Sequence, residues 1–380
     1  MIKNIKRIFT ESFNAPKQKD DKWLEKRRRK ICASEIASLI GENTNYIKPQ
    51  KAIENKIKPV LFSNKYMRHG ERYEPIARQL HSIKTDIICI ELNFLIDPVH
   101  DYIGASPDGM CFVVNKNTKT EWALNELKNY MNKNKNISMI MNTNSNSSVN
   151  TSNSLDNTSN SSINTSNSLV IHKKSNISNK KIYINLFENN LNFLIDNIDE
   201  KDILNTFLIE IKCPSTTEVK ENYIPEQYKY QMLCQMSVCK TISCDFVNNR
   251  FLEVDRETFD RKSIKYISGI LFIGPTIILS PELENYYSTT SKWDKSNIIN
   301  SEKVVLYRDP NFVKHMEEEC MAKLRISTCN KKYGKYIYWI LKKQCTIVYD
   351  FDHDLYYKTL KKIKKIITNN YDLNDLIFGK

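Results

Sequence analysis

Asp108, Glu210 and Lys212 are the residues of this sequence whose types and spacing could do chemistry. Within Ile209-Glu210-Ile211-Lys212, alternation along a strand puts Glu210 and Lys212 on one face and the two isoleucines on the other. A carboxylate beside an ammonium is by itself no more than an exposed ion pair. Asp108 strengthens the reading, because the run Gly104-Ala105-Ser106-Pro107-Asp108-Gly109 has the character of a strand end followed by a turn. On adjacent strands, Asp108 and Glu210 would supply two hard oxygen ligands for Mg²⁺ or Mn²⁺. Lys212 would then stand beside an attacking water, lowering its pKa or stabilising charge on a phosphorane. A polarised phosphate, an oriented water and a nearby cation are the needs of phosphodiester hydrolysis. The competing role for Asp108 is that of a turn residue before glycine.

These side chains require a sheet and helices to hold them. Ile87 to Ile96 and Tyr102 to Ala105 have strand character, and Phe207 to Cys213 predicts a short strand stopped by Pro214. Gln227 to Cys239 predicts a helix. Tyr73, Ile76, Ala77 and Leu80 fall at helical spacing in Met67 to His81, with Pro75 marking either the first turn or a kink. Trp23 to Ile40 reads as a basic helix or turn leading into a short helix from Ser34 to Ile40, ended by Gly41. Further apolar stretches lie at Ile267 to Ile278 and Tyr336 to Val348. A last helix places Tyr356, Leu360, Ile363 and Ile367 on one face and Lys358, Lys361, Lys362, Lys364 and Lys365 on the others. The alternation of helices and strands predicts an α/β or α+β fold.

At 380 residues and 41% hydrophobic, the chain is long and apolar enough for one large domain or two modest ones. Its formal net charge of +13 favours a polyanionic partner, most simply nucleic acid. The ten cysteines form no CxxC pair or Cys/His cluster at zinc spacing, which predicts free thiols packed as small hydrophobes in a reducing, intracellular compartment. The first 22 residues are basic without a continuous apolar core, and no run approaches the length of a membrane span. Residues 142–168 are almost entirely Asn, Ser and Thr, with near-repeats VNTSNSL and INTSNSL. Such a stretch buries too little apolar surface to offset its ordering entropy, so 128–181 is expected to be a disordered insert whose sequons are not glycosylated. The implied organisation is a basic arm over 1–22, a core divided between 23–127 and 182–280, and a C-terminal extension over 281–380 whose basic helix packs on the core.

Six segments occur in order: Trp23-Leu24-Glu25-Lys26-Arg27, Ile31-Cys32-Ala33-Ser34-Glu35-Ile36, Gly70-Glu71-Arg72-Tyr73-Glu74, Gly104 to Gly109, Glu210-Ile211-Lys212-Cys213-Pro214 and Tyr228-Lys229-Tyr230-Gln231. Together they resemble the YqaJ-like viral recombinase family, the lambda-exonuclease type of PD-(D/E)xK nuclease. The resemblance runs from Trp23 to Cys239 apart from the insert, and implies a restriction-endonuclease-like core with a mixed central sheet flanked by helices. It implies that Asp108, Glu210 and the Ile211 carbonyl hold metal, with Glu74 at a second ion or its water shell. Lys212 is implied as the catalytic lysine, and Gln231 as support for the lysine or nucleophile. Gln227 and Gln235 share the face of Gln231 and compete with it. Arg27, Ser34 and Ser106 match residues that hold the 5′-phosphate of a DNA end, a role an Arg fork and a helix-start hydroxyl suit. Arg27 sits in a basic run that could instead track a backbone, Ser34 could be only a helix cap, and Glu74 only a solvated helix residue.

By the same resemblance, the activity expected is metal-dependent exonuclease digestion of duplex DNA ends, 5′ to 3′, with two Mg²⁺ or Mn²⁺ ions. A single-strand annealing partner and a trimeric ring around DNA are also implied. Alternatives are an endonuclease or flap nuclease on the same fold, or a catalytically silent DNA-binding recombination mediator. The chain departs from the family pattern where about a hundred residues, rather than a short hairpin, join Asp108 to Glu210. The pairing survives if the strands are Met110 to Val114 and Phe207 to Lys212 with the insert looped out.

Overall fold

The computed structural model describes residues 2–16, 21–59, 64–129, 191–262, 266–273, 304–307 and 335–379. The helices are α1 (Ile2–Asn14), α2 (Asp21–Arg28), α3 (Ile36–Leu39), α4 (Pro49–Ile57), α5 (Lys65–Thr85), α6 (Glu226–Cys239), α7 (Arg256–Lys262), α8 (His353–Asn369) and α9 (Tyr371–Phe378). The strands are β1 (Ile31–Cys32), β2 (Ile88–Ile90), β3 (Leu95–Ile96), β4 (Ile103–Ala105), β5 (Gly109–Val114), β6 (Ile203–Lys212), β7 (Ser243–Val254), β8 (Ser268–Ile273), β9 (Val304–Tyr307) and β10 (Lys335–Asp350). Residues 119–129 and 191–196 are also helical.

A mixed sheet runs β2-β5-β6-β7-β10-β8-β9, with β6 and β7 parallel and the other neighbours antiparallel. A small second sheet has the order β1-β4-β3. The fold is therefore mixed α/β, as expected. β6 is covered on both faces, so its residues divide by alternation. Ile209 and Ile211 join Tyr73, Ile76, Ala77 and Leu80 of α5, while Leu208 joins Met232, Leu233 and Met236 of α6 on the opposite side. On the α5 side, Tyr73 stacks on Phe251 at 4.7 Å and Trp339 packs edge-on against Phe251 at 5.3 Å.

The β5–β6 hairpin forms despite its long connection. Gly109 pairs with Ile209, and the register continues to Val114 opposite Ile203. The connection is clasped where it leaves the strands. Asn115 N–H donates to the Asp202 carbonyl at 2.9 Å, and the buried Thr120 hydroxyl donates to Asp202 Oδ2 at 2.9 Å while accepting from Asp199 N–H at 2.8 Å. Apart from residues 128 and 129, which end a helical stretch, the expected insert lies outside the described residues.

Several expectations are corrected. Residues 2–14 are not a basic arm but a docked amphipathic helix, with Ile5, Ile8 and Phe9 buried and Phe9 stacked on Phe112 at 5.9 Å. The stretch Ile87 to Ile96 divides into β2 and β3, which belong to different sheets. α5 starts ten residues before Pro75 and runs through it, because Asn64 caps the helix by accepting from Tyr66 and Met67 N–H at 2.9 Å. The segment after residue 281 also adds to the main sheet, where β10 lies between β7 and β8. The last helix follows the pattern expected of it: Tyr356, Leu360, Ile363 and Ile367 are buried and its five lysines exposed.

Among the described residues the cysteines are free thiols, mostly buried, while Cys320 and Cys329 lie outside them. No helix there is long and apolar enough to cross a membrane.

Two glycines explain the Gly104-to-Gly109 motif. A Cβ at Gly104 would lie 2.1 Å from Phe94 Cζ, and one at Gly109 2.6 Å from Cys89 Sγ. Both strands thus depend on a missing side chain to admit a buried neighbour. Gly104→Ala should destabilise the protein by about 1–3 kcal/mol through overpacking. It would be read as a lower urea midpoint with an unchanged m-value.

Candidate active site

The register of the hairpin sets the geometry. One step beyond the Gly109–Ile209 pair stand Asp108 and Glu210, opposite each other at the sheet's edge of the turn. Asp108 Oδ2 accepts from Ile211 N–H at 2.6 Å, which pins the turn to β6. Glu210 faces α6 with no exposed surface. Its Oε1 accepts from Lys212 Nζ and, at 2.8 Å, from Gln231 Nε2, while Oε2 accepts from Gln235 Nε2 at 2.7 Å. Gln231 and Gln235 are one turn apart, so both reach the same carboxylate, whereas Gln227 does not. Two of the three glutamines therefore touch the Glu210 carboxylate. Lys212 also lies over the Tyr228 ring, 4.7 Å from its centroid, and that ring stacks on Phe246.

Glu74 projects from α5 towards this cluster and is held by Arg78, whose Nη2 lies 2.8 Å from Glu74 Oε1 and whose Nη1 lies 2.5 Å from Glu91 Oε2. Glu74 is thus partly buried and ion-paired. Glu91, just beyond β2, had no sequence signal because its contact depends on how β2 folds back beside Arg78 of the preceding helix. Tyr228 and Gln235 were findable by their three- and four-residue spacing from Gln231.

The electrostatics follow from this crowding. Burial pushes the Asp108 carboxyl well above its usual range, and the facing Glu210 and Glu74 push it further. Burial also raises Glu74, with Glu91 and Glu210 adding to the rise against the pull of Arg78. Burial alone would lower the Lys212 ammonium, but Glu210 and Asp108 outweigh it and hold Lys212 charged far above neutral pH. Asp108, Glu210, Glu74 and Glu91 face Lys212 and Arg78, which leaves carboxylates in excess.

That excess, and the hard oxygens of Asp108, Glu210 and the Ile211 carbonyl at one end of the β5–β6 pair, suit a divalent cation. As the side chains stand, Lys212 and the two glutamines occupy the Glu210 oxygens and Arg78 occupies Glu74. Among the described residues no three His, Cys, Asp or Glu side chains are grouped to hold a metal ion.

Of the residues expected at a 5′-phosphate, Ser34 and Ser106 follow strands of the small sheet and Arg27 lies on α2. β1 and β4 are parallel, with Cys32 beside Gly104. Ser34 and Ser106 each follow two residues later, so both leave the same end of neighbouring strands. Ser34 is the middle residue of a 3₁₀ turn, Ala33–Glu35, whose cap is Cys32, which excludes the helix-cap role for Ser34. Arg27 stacks on Trp23, 4.5 Å from the ring, and reaches Ser34 Oγ at 3.4 Å. Its neighbours are committed elsewhere: Arg28 donates to the Ile57 carbonyl and Arg29 to Glu25. The Ser106 hydroxyl is buried without a hydrogen-bond partner among the described residues. Behind the turn, buried Lys56 donates to the Arg27 carbonyl at 2.8 Å and pairs with Glu35 at 2.8 Å.

The sequence model of the YqaJ-like viral recombinase domain matches residues 22–241, more than half of the chain. The chain belongs to the YqaJ-like viral recombinase domain family. An uncharacterized protein of Acanthamoeba polyphaga mimivirus is 31% identical over 96 residues, which are 25% of this chain and 17% of that protein. The chain therefore spans a small part of that relative's length. Two crystal structures of an alkaline exonuclease from Laribacter hongkongensis, one in complex with dAMP, align with 81% of this chain and 92% of theirs. Their identities are 17% and 16%, and their TM-scores 0.32 and 0.31.

Two variants and a control test this electrostatic account. The folded state holds the Asp108 proton more tightly than the unfolded chain does. Asp108 therefore opposes folding more and more as pH rises from its ordinary range through its raised one. In chelator, Asp108→Asn should be more stable than wild type at pH 8 by about 1 kcal/mol or more, the gain shrinking towards pH 4. Urea titrations across that range would measure it. Gln235→Leu should cost roughly 1–3 kcal/mol by leaving Glu210 Oε2 buried without a donor, whereas Gln227→Leu should leave the melting temperature within a degree or so of wild type.

Proposed function

We propose that this protein is a metal-dependent deoxyribonuclease that digests duplex DNA from an end, 5′ to 3′, leaving single strands for recombination or repair. The observation that carries this reading is the meeting of Asp108, Glu210, Lys212, Glu74 and Gln231 across a hairpin whose strands are far apart in sequence. A DNA-binding mediator has no need for a buried carboxylate held by a lysine and two glutamines. Family membership supports the reading independently.

Held by Asp108, Glu210 and the Ile211 carbonyl, with Glu74 to the outside, Mg²⁺ or Mn²⁺ would polarise the scissile phosphate and acidify a water. Lys212 keeps its proton at Nζ and places a positive charge where the phosphorane develops. Gln231 and Gln235 hold Glu210 in one orientation, so its oxygens need not reorganise as charge builds. Arg27, Ser34 and Ser106 would bind the terminal phosphate, Arg27 through its fork and the serines through hydroxyls leaving one sheet end. An end-processing enzyme needs that pocket and an endonuclease does not.

The test is digestion of end-labelled linear duplex with Mg²⁺, Mn²⁺ or EDTA, using 5′-phosphorylated, 5′-hydroxyl and covalently closed substrates. Expected are metal-dependent loss of linear DNA, preference for the 5′-phosphate and sparing of closed circles. Lys212→Ala should reduce the rate about 100- to 1,000-fold, and Arg27→Ala should erase the phosphate preference. Cleavage of closed circles would favour the endonuclease, and binding without cleavage under every metal the silent mediator.

A further inference from the structure

We propose that the exposed lysine face of α8, outside the matched family domain, is a second DNA-binding surface that holds the duplex backbone behind the processed end. The inference rests on the nuclease reading above.

From Leu355 to Asn369 the helix contains five lysines and no acidic residue. Lys358, Lys361, Lys362 and Lys365 follow i, i+3, i+4, i+7 spacing and form one stripe, roughly 10 Å long at the helical rise, with Lys364 beside it. Lys362 pairs with Glu42 at 2.6 Å, and Lys358, Lys361, Lys364 and Lys365 make no ion pair among the described residues. Some lysines elsewhere are paired with carboxylates, as Lys342 is with Glu218 and Lys343 with Glu221, whereas these five share one helix. α8 therefore concentrates charge that, among the described residues, only Glu42 meets.

Its placement matches the partner. Tyr356 of α8 shares a 2.6 Å hydrogen bond with Ser237 of α6, the helix that carries Gln231 and Gln235. Glu42, to which Lys362 is tied, lies just beyond α3, eight residues after Ser34. The stripe thus flanks the pocket proposed for the DNA end. Duplex DNA presents a negative charge about every 1.7 Å along its axis, enough to meet every lysine of the stripe. An anionic membrane is the poorer occupant, because the apolar face that would insert, Tyr356, Leu360, Ile363 and Ile367, is already buried against the core.

The experiment compares the full-length protein with a K358Q/K361Q/K364Q/K365Q variant, checked for an unchanged melting temperature. Binding to a labelled blunt duplex in EDTA is measured from 50 to 300 mM KCl, with phosphatidylserine vesicles as a second arm. The variant should bind at least about tenfold more weakly at low salt, and its log–log salt slope should fall by about 2 to 4, given close to 0.9 per phosphate contact. Equal affinity and slope would overturn the proposal while leaving the nuclease reading intact. So would loss of vesicle binding with DNA binding unchanged. A wild-type protein that does not bind duplex at all would overturn both.

Discussion

A carboxylate taken out of water costs several kcal/mol unless charge and hydrogen bonds replace its hydration. Glu210 is buried completely in the middle of the molecule, and the surrounding structure is arranged to compensate it. Lys212 supplies the charge from the same strand, two residues on and therefore on the same face. Gln231 and Gln235 supply two donors from one face of α6. Asp108 does not touch Glu210 through its own hydrogen bond but caps the neighbouring amide, Ile211 N–H, so two carboxylates are held across one hairpin. Removing any one donor leaves a buried charge short of partners, which makes the cluster cooperative.

α6 can present those glutamines only if its own position is fixed. Its C-terminal carbonyls are met by α1, with Arg7 donating to Val238 and Asn4 to Cys239, each at 2.7 Å. A guanidinium at a helix C-terminus is also favoured by the helix dipole. On the same helix Ser237 donates to the buried Asp97 at 2.6 Å and shares its hydroxyl with Tyr356 of α8. The first and second-last helices of the chain thus converge on the helix that completes the site. On the other face of the sheet, α5 is held by the Tyr73–Phe251–Trp339 packing and carries Glu74 and Arg78.

The hairpin that joins Asp108 to Glu210 spans an excursion of roughly ninety residues, and each doubling of loop length costs only about 0.6 kcal/mol. Thr120, Asp199 and Asp202 bring the two ends of the excursion together beside the strands. The ladder of β5 and β6 is therefore formed as it would be in a short hairpin.

By itself the sequence determined what depends on local spacing: Glu210 and Lys212 on one strand face, glutamines one turn apart, a helix with an apolar and a lysine face, a turn at Ser106 to Gly109. It also carried enough ordered motif to identify the family. Only the tertiary structure decided what depends on contacts between distant segments. β10 enters the sheet beside β7 although some eighty residues separate them in the chain, and periodicity carries no register information across such a gap. Residues 2–14 became a docked helix because Ile5, Ile8 and Phe9 find a core face that a local reading cannot see. Glu91 joined the site through Arg78, and Arg27 stood out from its basic run because Ile57 and Glu25 take its neighbours. Local chemistry follows from spacing along the backbone, whereas a buried charge cluster is defined by which segments fold together to compensate it.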